Sequence, residues 1–132
     1  MEKIISIVET TFKQQEKDWC DYDGFLIHTD KQVIKLGISN GQSCCENWGY
    51  LMSEDDVQSF VGAELLSIKA VDVGVNEKCI DAGNGCDEGG AMFINLETSN
   101  GLLQFVAYNG HNGYYSHSAF VESTFLSEEV SL

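Results

Sequence analysis

The chain has 132 residues, with 21 acidic side chains against 7 lysines and no arginine, so its formal charge is −14 with histidine neutral. A chain of this length is expected to form one domain over residues 1–132, and 43% hydrophobic with 11% aromatic residues supply its core, which argues against disorder despite the charge. Direct binding to nucleic acid needs lysine and arginine against phosphate, and the same negative field repels an anionic membrane surface, so both classes drop out.

No apolar run is long enough to cross a bilayer, and Met1 to Glu9 lacks the apolar stretch of a secretory signal. A soluble monomer in a reducing cytoplasm is the expectation. In that compartment the five cysteines are free thiols or metal ligands rather than a disulfide framework, which an odd number fits poorly.

Turns are marked by 13 glycines and no proline, and Asn-Gly occurs at 40–41, 84–85, 100–101, 109–110 and 112–113. From the N-terminus, Ile4 to Val8 reads as a short strand. Thr11 to Trp19 reads as a helix with Phe12, Gln15 and Trp19 along one side, or as part of a long hairpin loop. Gly24 to Thr29 and Gln32 to Ile38 flank Asp30-Lys31 as a hairpin.

Ser53, as N-cap, opens an acidic first turn that suits the helix dipole, and Gly62 stands near the end, so a helix is expected near 54–61. Leu65 to Val73 alternates as a strand. Asn76 to Gly90, with four glycines and four acids, reads as an irregular loop. Ala91 to Thr98, Ser99-Asn100-Gly101 and Leu102 to Tyr108 read as a hairpin, and Tyr114 to Val121 adds a third strand, giving a three-stranded meander. The fold class expected is α+β, a mainly antiparallel sheet with one or two short helices.

Three features carry candidate chemistry: Cys44-Cys45 followed by Glu46, Cys79 with Cys86, and His111 with His117. Thiolate and imidazole are the ligands zinc prefers, and Cys44, Cys45, His111 and His117 make a complete tetrahedral set, hence a structural site. Adjacent cysteines reach one ion only from a turn or bulge, and Ser39 to Ser43 supplies turn chemistry just before them. Cys79 and Cys86 form a second candidate pair whose spacing matches no common zinc knuckle.

Other readings of the same residues stay open. Cysteines are commonly small buried hydrophobes, and a strand-end histidine is commonly satisfied by a neighbour. Cys44 or Cys45 with His117 and Glu46 also has the composition of a thiol hydrolase, although an acidic environment raises a thiol pKa where catalysis wants it lowered. The loop from Asp81 to Gly90 lacks a cation and carries three acids, which is wrong for a phosphate cradle, and Asp81, Asn84, Asp87 and Glu88 do not follow the calcium-loop order. The expectation is a protein that is not an enzyme, whose acids Glu54, Asp55, Asp56, Asp87 and Glu88 meet a basic partner.

The stretch Gln42-Ser43-Cys44-Cys45-Glu46, the acidic segment after it, Gly62-Ala63, and Asn112-Gly113-Tyr114-Tyr115-Ser116 together resemble a family of small acidic bacterial and phage proteins of unassigned function. The resemblance covers roughly residues 32–121 and implies a small α+β domain; the segment with Cys79 and Cys86 looks like an insertion. Composition, size and the candidate zinc ligands are also similar to type II anti-CRISPR proteins, in particular a zinc-containing member that binds the recognition lobe of Cas9. That resemblance implies a phage-encoded inhibitor in the host bacterial cytoplasm that binds Cas9 and blocks target-DNA binding or cleavage. A zinc-stabilised acidic module with another host partner is the alternative.

Overall fold

The computed structural model describes residues 2–13, 21–40, 48–84, 90–110 and 118–132. Among the described residues there are nine strands: β1 (Glu2–Phe12), β2 (Tyr22–Thr29), β3 (Val33–Ser39), β4 (Trp48–Met52), β5 (Glu64–Val71), β6 (Gly90–Thr98), β7 (Gly101–Asn109), β8 (Ser118–Glu122) and β9 (Ser127–Ser131). They form one antiparallel sheet in the order β4, β7, β6, β5, β1, β2, β3, β8, β9. A 3₁₀ turn (Val57–Phe60) and one helix, α1 (Glu77–Asn84), complete the described elements.

The two hairpins read from the sequence are present. In the first, Gly24 faces Gly37 and Ile27 faces Ile34, and the Thr29 amide donates to the Gln32 carbonyl across Asp30-Lys31. In the second, Ile94 faces Phe105 and Thr98 faces Gly101, whose φ of +116° is the left-handed turn conformation that glycine adopts without strain.

The sheet doubles over at the start of β1. Glu2 and Lys3 pair with β5, whereas residues from Ile4 onward pair with β2 across a bulge between Ile4 and Ser6. The halves β4-β7-β6-β5 and β1-β2-β3-β8-β9 then face each other. Ile7, Ile27 and Ile34 share one inner face by register and pack in the same core as Met52, Ile94 and Phe105 from the other half. The Phe25 ring crosses the gap, edge-on to Phe105 at a centroid distance of 6.1 Å and to Tyr50 at 5.9 Å. Outside that core, Phe12, Tyr22 and Phe120 form an aromatic group over Gly37, which has no room for a side chain.

Several expectations are corrected. Residues 54–61 do not form a helix: only Val57–Phe60 makes a 3₁₀ turn, Asp56 occupies the cap position without a side-chain cap, and the Ser53 hydroxyl accepts instead from the Gln104 amide at 2.9 Å. The C-terminal meander is not formed either, because the free edge of β7 is taken by β4, while β8 lies across the sheet between β3 and β9. The stretch 76–90 holds helix α1, opened by Asn76, whose Oδ1 accepts from the Cys79 amide at 3.0 Å. β1 is longer than the strand expected and runs to Phe12, into the proposed second helix, and residues 14–19 of that helix lie outside the described residues. The architecture is mainly sheet with little helix.

Candidate functional site

Strand register shows why polar groups collect at one end of the two facing layers. Along the inner face the β1–β2 pairs run from Ile7 with Ile27, through Glu9 with Phe25, to Thr11 with Asp23. The apolar core therefore gives way to carboxylates toward the C-terminal end of β1. From the opposite layer, β4 places Tyr50 and Met52 on the side that faces this end, each set by its pairing with Ala107 and Phe105 of β7.

The Tyr50 hydroxyl donates to Glu9 Oε2 at 2.7 Å and so bridges the layers. Asp23 Oδ1 accepts from Thr11 Oγ1 at 2.7 Å and from Asn40 Nδ2 at 3.0 Å. Burial, then the hydrogen bond and charge of Glu9, then the charge of Asp23, push the Tyr50 hydroxyl above its ordinary range.

Beyond Met52 the chain turns a corner at Ser53 to Asp56. Ser53 is buried and makes a reciprocal pair with Gln104: its amide donates to the Gln104 carbonyl at 2.8 Å, and its hydroxyl accepts from the Gln104 amide. Its carbonyl accepts from Asn76 Nδ2 at 2.9 Å, which ties the corner to the start of α1. Glu54, Asp55 and Asp56 stand exposed on this fixed support. Lys78 of α1 reaches Asp55 Oδ1 at 2.6 Å, and this hydrogen bond and charge hold the Asp55 carboxyl below the usual carboxylate range.

Between the corner and β1 lies an open groove of about 250 Å³. Phe25, Tyr50, Met52 and Val57 supply its apolar walls, Glu9, Glu54 and Asp55 its carboxylates, and Lys78 its cation. This arrangement can accept a positively charged group with an apolar stem. Glu9, Tyr50 and Lys78 were not singled out by sequence; the one signal was an acid in an inward-facing register position of β1.

Of the expected partner-binding acids, Glu54, Asp55 and Asp56 come together, whereas Asp87 and Glu88 lie outside the described residues. The four expected zinc ligands, Cys44, Cys45, His111 and His117, also lie outside them, as do Glu46 and Cys86. The chain flanking those ligands is held by strand pairing. Ile38 pairs with Ala119 and the Ser118 amide donates to Ser39 Oγ at 3.1 Å, while Trp48 pairs with Asn109. In the chain, 41–47 runs from β3 to β4 and 111–117 from β7 to β8, so both lie between the paired strands β3–β8 and β4–β7. Among the described residues no group of three or more histidine, cysteine or acidic side chains is arranged to hold a metal ion, and Cys79 is a buried free thiol. No helix of the described residues is long and apolar enough to cross a membrane.

No curated protein and no solved structure matches the chain at a significant level. Residues 1–121, which take in all the strands that build the groove, match the model of a domain of unknown function, DUF7448, and the chain belongs to that family.

Proposed function

We propose that this protein is a non-enzymatic binding module that uses its acidic surface to hold a basic surface of another protein, with Cas9 as the partner and reduced target-DNA binding or cleavage as the result. The observation that carries the reading is the corner at Glu54, Asp55 and Asp56: three adjacent carboxylates stand in solvent on a backbone fixed from beneath by Ser53 and Gln104. A fixed array of charge meets a partner without the ordering cost that a mobile acidic tail carries. The net charge of −14 remains after all seven lysines are counted, whichever acids they pair with, as Lys69 does with Glu97 and Lys78 with Asp55, and this field steers a basic partner.

Cas9 enters through the resemblance to acidic phage inhibitors and through the basic surfaces with which it holds nucleic acid. Mixing the protein with guide-loaded Cas9 and following target cleavage tests it. Cleavage should fall with increasing protein and recover as salt rises, because the Debye length shortens from about 10 Å at 0.1 M to about 3 Å at 1 M. Complete cleavage at a large molar excess, across several type II-A orthologues, would remove Cas9 as the partner.

A structural zinc on Cys44, Cys45, His111 and His117 belongs to the same proposal. Its support is that the two segments carrying those ligands are anchored side by side at both ends, by Ser39 with Ser118 and by Trp48 with Asn109. Zinc there would join two distant connections, so its binding energy would add to folding energy. Elemental analysis of protein purified without added metal should find one zinc per chain; less than half an equivalent would refute it.

A further inference from the structure

The groove beside the corner is more specific than a charged surface. We propose that it seats one lysine or arginine side chain projecting from the partner protein, and that Lys78 is the resident cation this side chain displaces from Asp55. The inference rests on the binding-module reading above and names the point of contact within it.

Size gives the first argument. At about 250 Å³ the groove falls below the roughly 300–1,000 Å³ typical of small-molecule sites, and it is open to solvent along one side, so it suits a single side chain better than a metabolite. Its lining gives the second. Phe25, Tyr50, Met52 and Val57 offer apolar and aromatic surface to a methylene stem, while Glu9, Glu54 and Asp55 ring the place where the charged head would sit. Tyr50 occupies Oε2 of Glu9, which turns that carboxylate into the groove's fixed wall and leaves Oε1 to accept.

The third argument is Lys78 itself. Its ammonium group already lies against Asp55 at 2.6 Å with both side chains substantially exposed, 41% and 98%. Such an exposed pair contributes little, so exchange for a better-placed cation costs little. The molecule thus carries its own low-affinity stand-in for the partner's side chain.

The test is a ¹⁵N–¹H NMR titration of the intact chain with Nα-acetyl-arginine amide and Nα-acetyl-lysine amide, with Nα-acetyl-norleucine amide as the neutral control. Both cations should shift the amides of Tyr50, Leu51, Asp55 and Val57, and the neutral compound should not. Lys78→Met should tighten cation binding by up to about fivefold, the worth of one exposed ion pair, while Asp55→Asn and Glu9→Gln weaken it. Shifts spread evenly over distant acids such as Glu128 and Glu129, and unchanged by Lys78→Met and Asp55→Asn, would overturn the assignment. Failure of the cleavage assay would remove Cas9 but leave this result standing, so the two proposals fail separately.

Discussion

Ser53 and Gln104 hold each other by two hydrogen bonds, from the Ser53 amide to the Gln104 carbonyl at 2.8 Å and from the Gln104 amide to the Ser53 hydroxyl at 2.9 Å. The Gln104 side chain continues the link on the other face of the sheet. Its Nε2 donates to the Val73 carbonyl and to Asn95 Oδ1, and its Oε1 accepts from the Val75 amide. One fully buried glutamine thereby fixes the acidic corner and the approach to α1 together. Replacing Gln104 by Ala orphans three polar partners and should cost about 3 kcal/mol, read as a lower urea midpoint, with Ser53→Ala costing about 1 kcal/mol. Equal stability of Gln104→Ala and wild type would show that water takes over these bonds.

Tyr50 predicts an alkaline limit to stability. Its folded pKa lies above the unfolded value of about 10, so the folded state keeps a proton that the unfolded state releases. The stability from this group is fully present below pH 10 and is lost as pH rises above it. Tyr50→Phe should flatten the fall in melting temperature above pH 10 while keeping the ring's packing against Phe25 and Phe105. An unchanged alkaline slope would place the effect elsewhere.

Two glycines separate steric from conformational constraint. A Cβ on Gly24 would run into the Leu36 carbonyl oxygen across the β2–β3 pair, so Gly24→Ala should destabilise by about 3 kcal/mol. Gly62 has φ +93° and nothing near a Cβ, so Gly62→Ala should cost only the left-handed backbone term, about 1–2 kcal/mol. Thermal unfolding of both variants checks the order, and a reversed order would contradict it.

Cys79 should be slow toward iodoacetamide at neutral pH. Burial pushes its thiol pKa up, outweighing backbone hydrogen bonds and the Lys78 charge, and the side chain is covered between α1 and the sheet. Mass spectrometry after brief labelling should find Cys79 unmodified until denaturant is added; rapid native labelling would mean that α1 opens readily.

The local part of this fold was legible in the sequence, and the long-range part was not. Both hairpins have apolar alternation and turn residues within a few positions of each other, so periodicity alone defines them. β4 is a run of Trp48, Gly49, Tyr50, Leu51 and Met52 with no alternation, held by pairing with Asn109 to Phe105 far along the chain. β9, Ser127 to Ser131, is polar because it is an edge, where exposed Glu128 and Glu129 discourage pairing with other chains. The expected helix at 54–61 failed for a definable reason: the N-cap hydroxyl of Ser53 was already committed to Gln104, a partner 51 positions away. The acids at Glu54, Asp55 and Asp56 were legible by charge, but Glu9, Tyr50 and Lys78 meet them only through tertiary structure.

Whether the acidic corner is the surface that the partner meets is decided by binding to guide-loaded Cas9, compared between the wild-type chain and a Glu54→Gln, Asp55→Asn, Asp56→Asn variant, each at low and high salt. These side chains are exposed, so the variant should fold with little change in stability. Wild type should bind and inhibit cleavage, salt should weaken both, and the neutralised corner should lose most of the affinity along with most of the salt dependence. Wild-type binding that survives both high salt and neutralisation of the corner would contradict the claim that this acidic surface is what the partner meets.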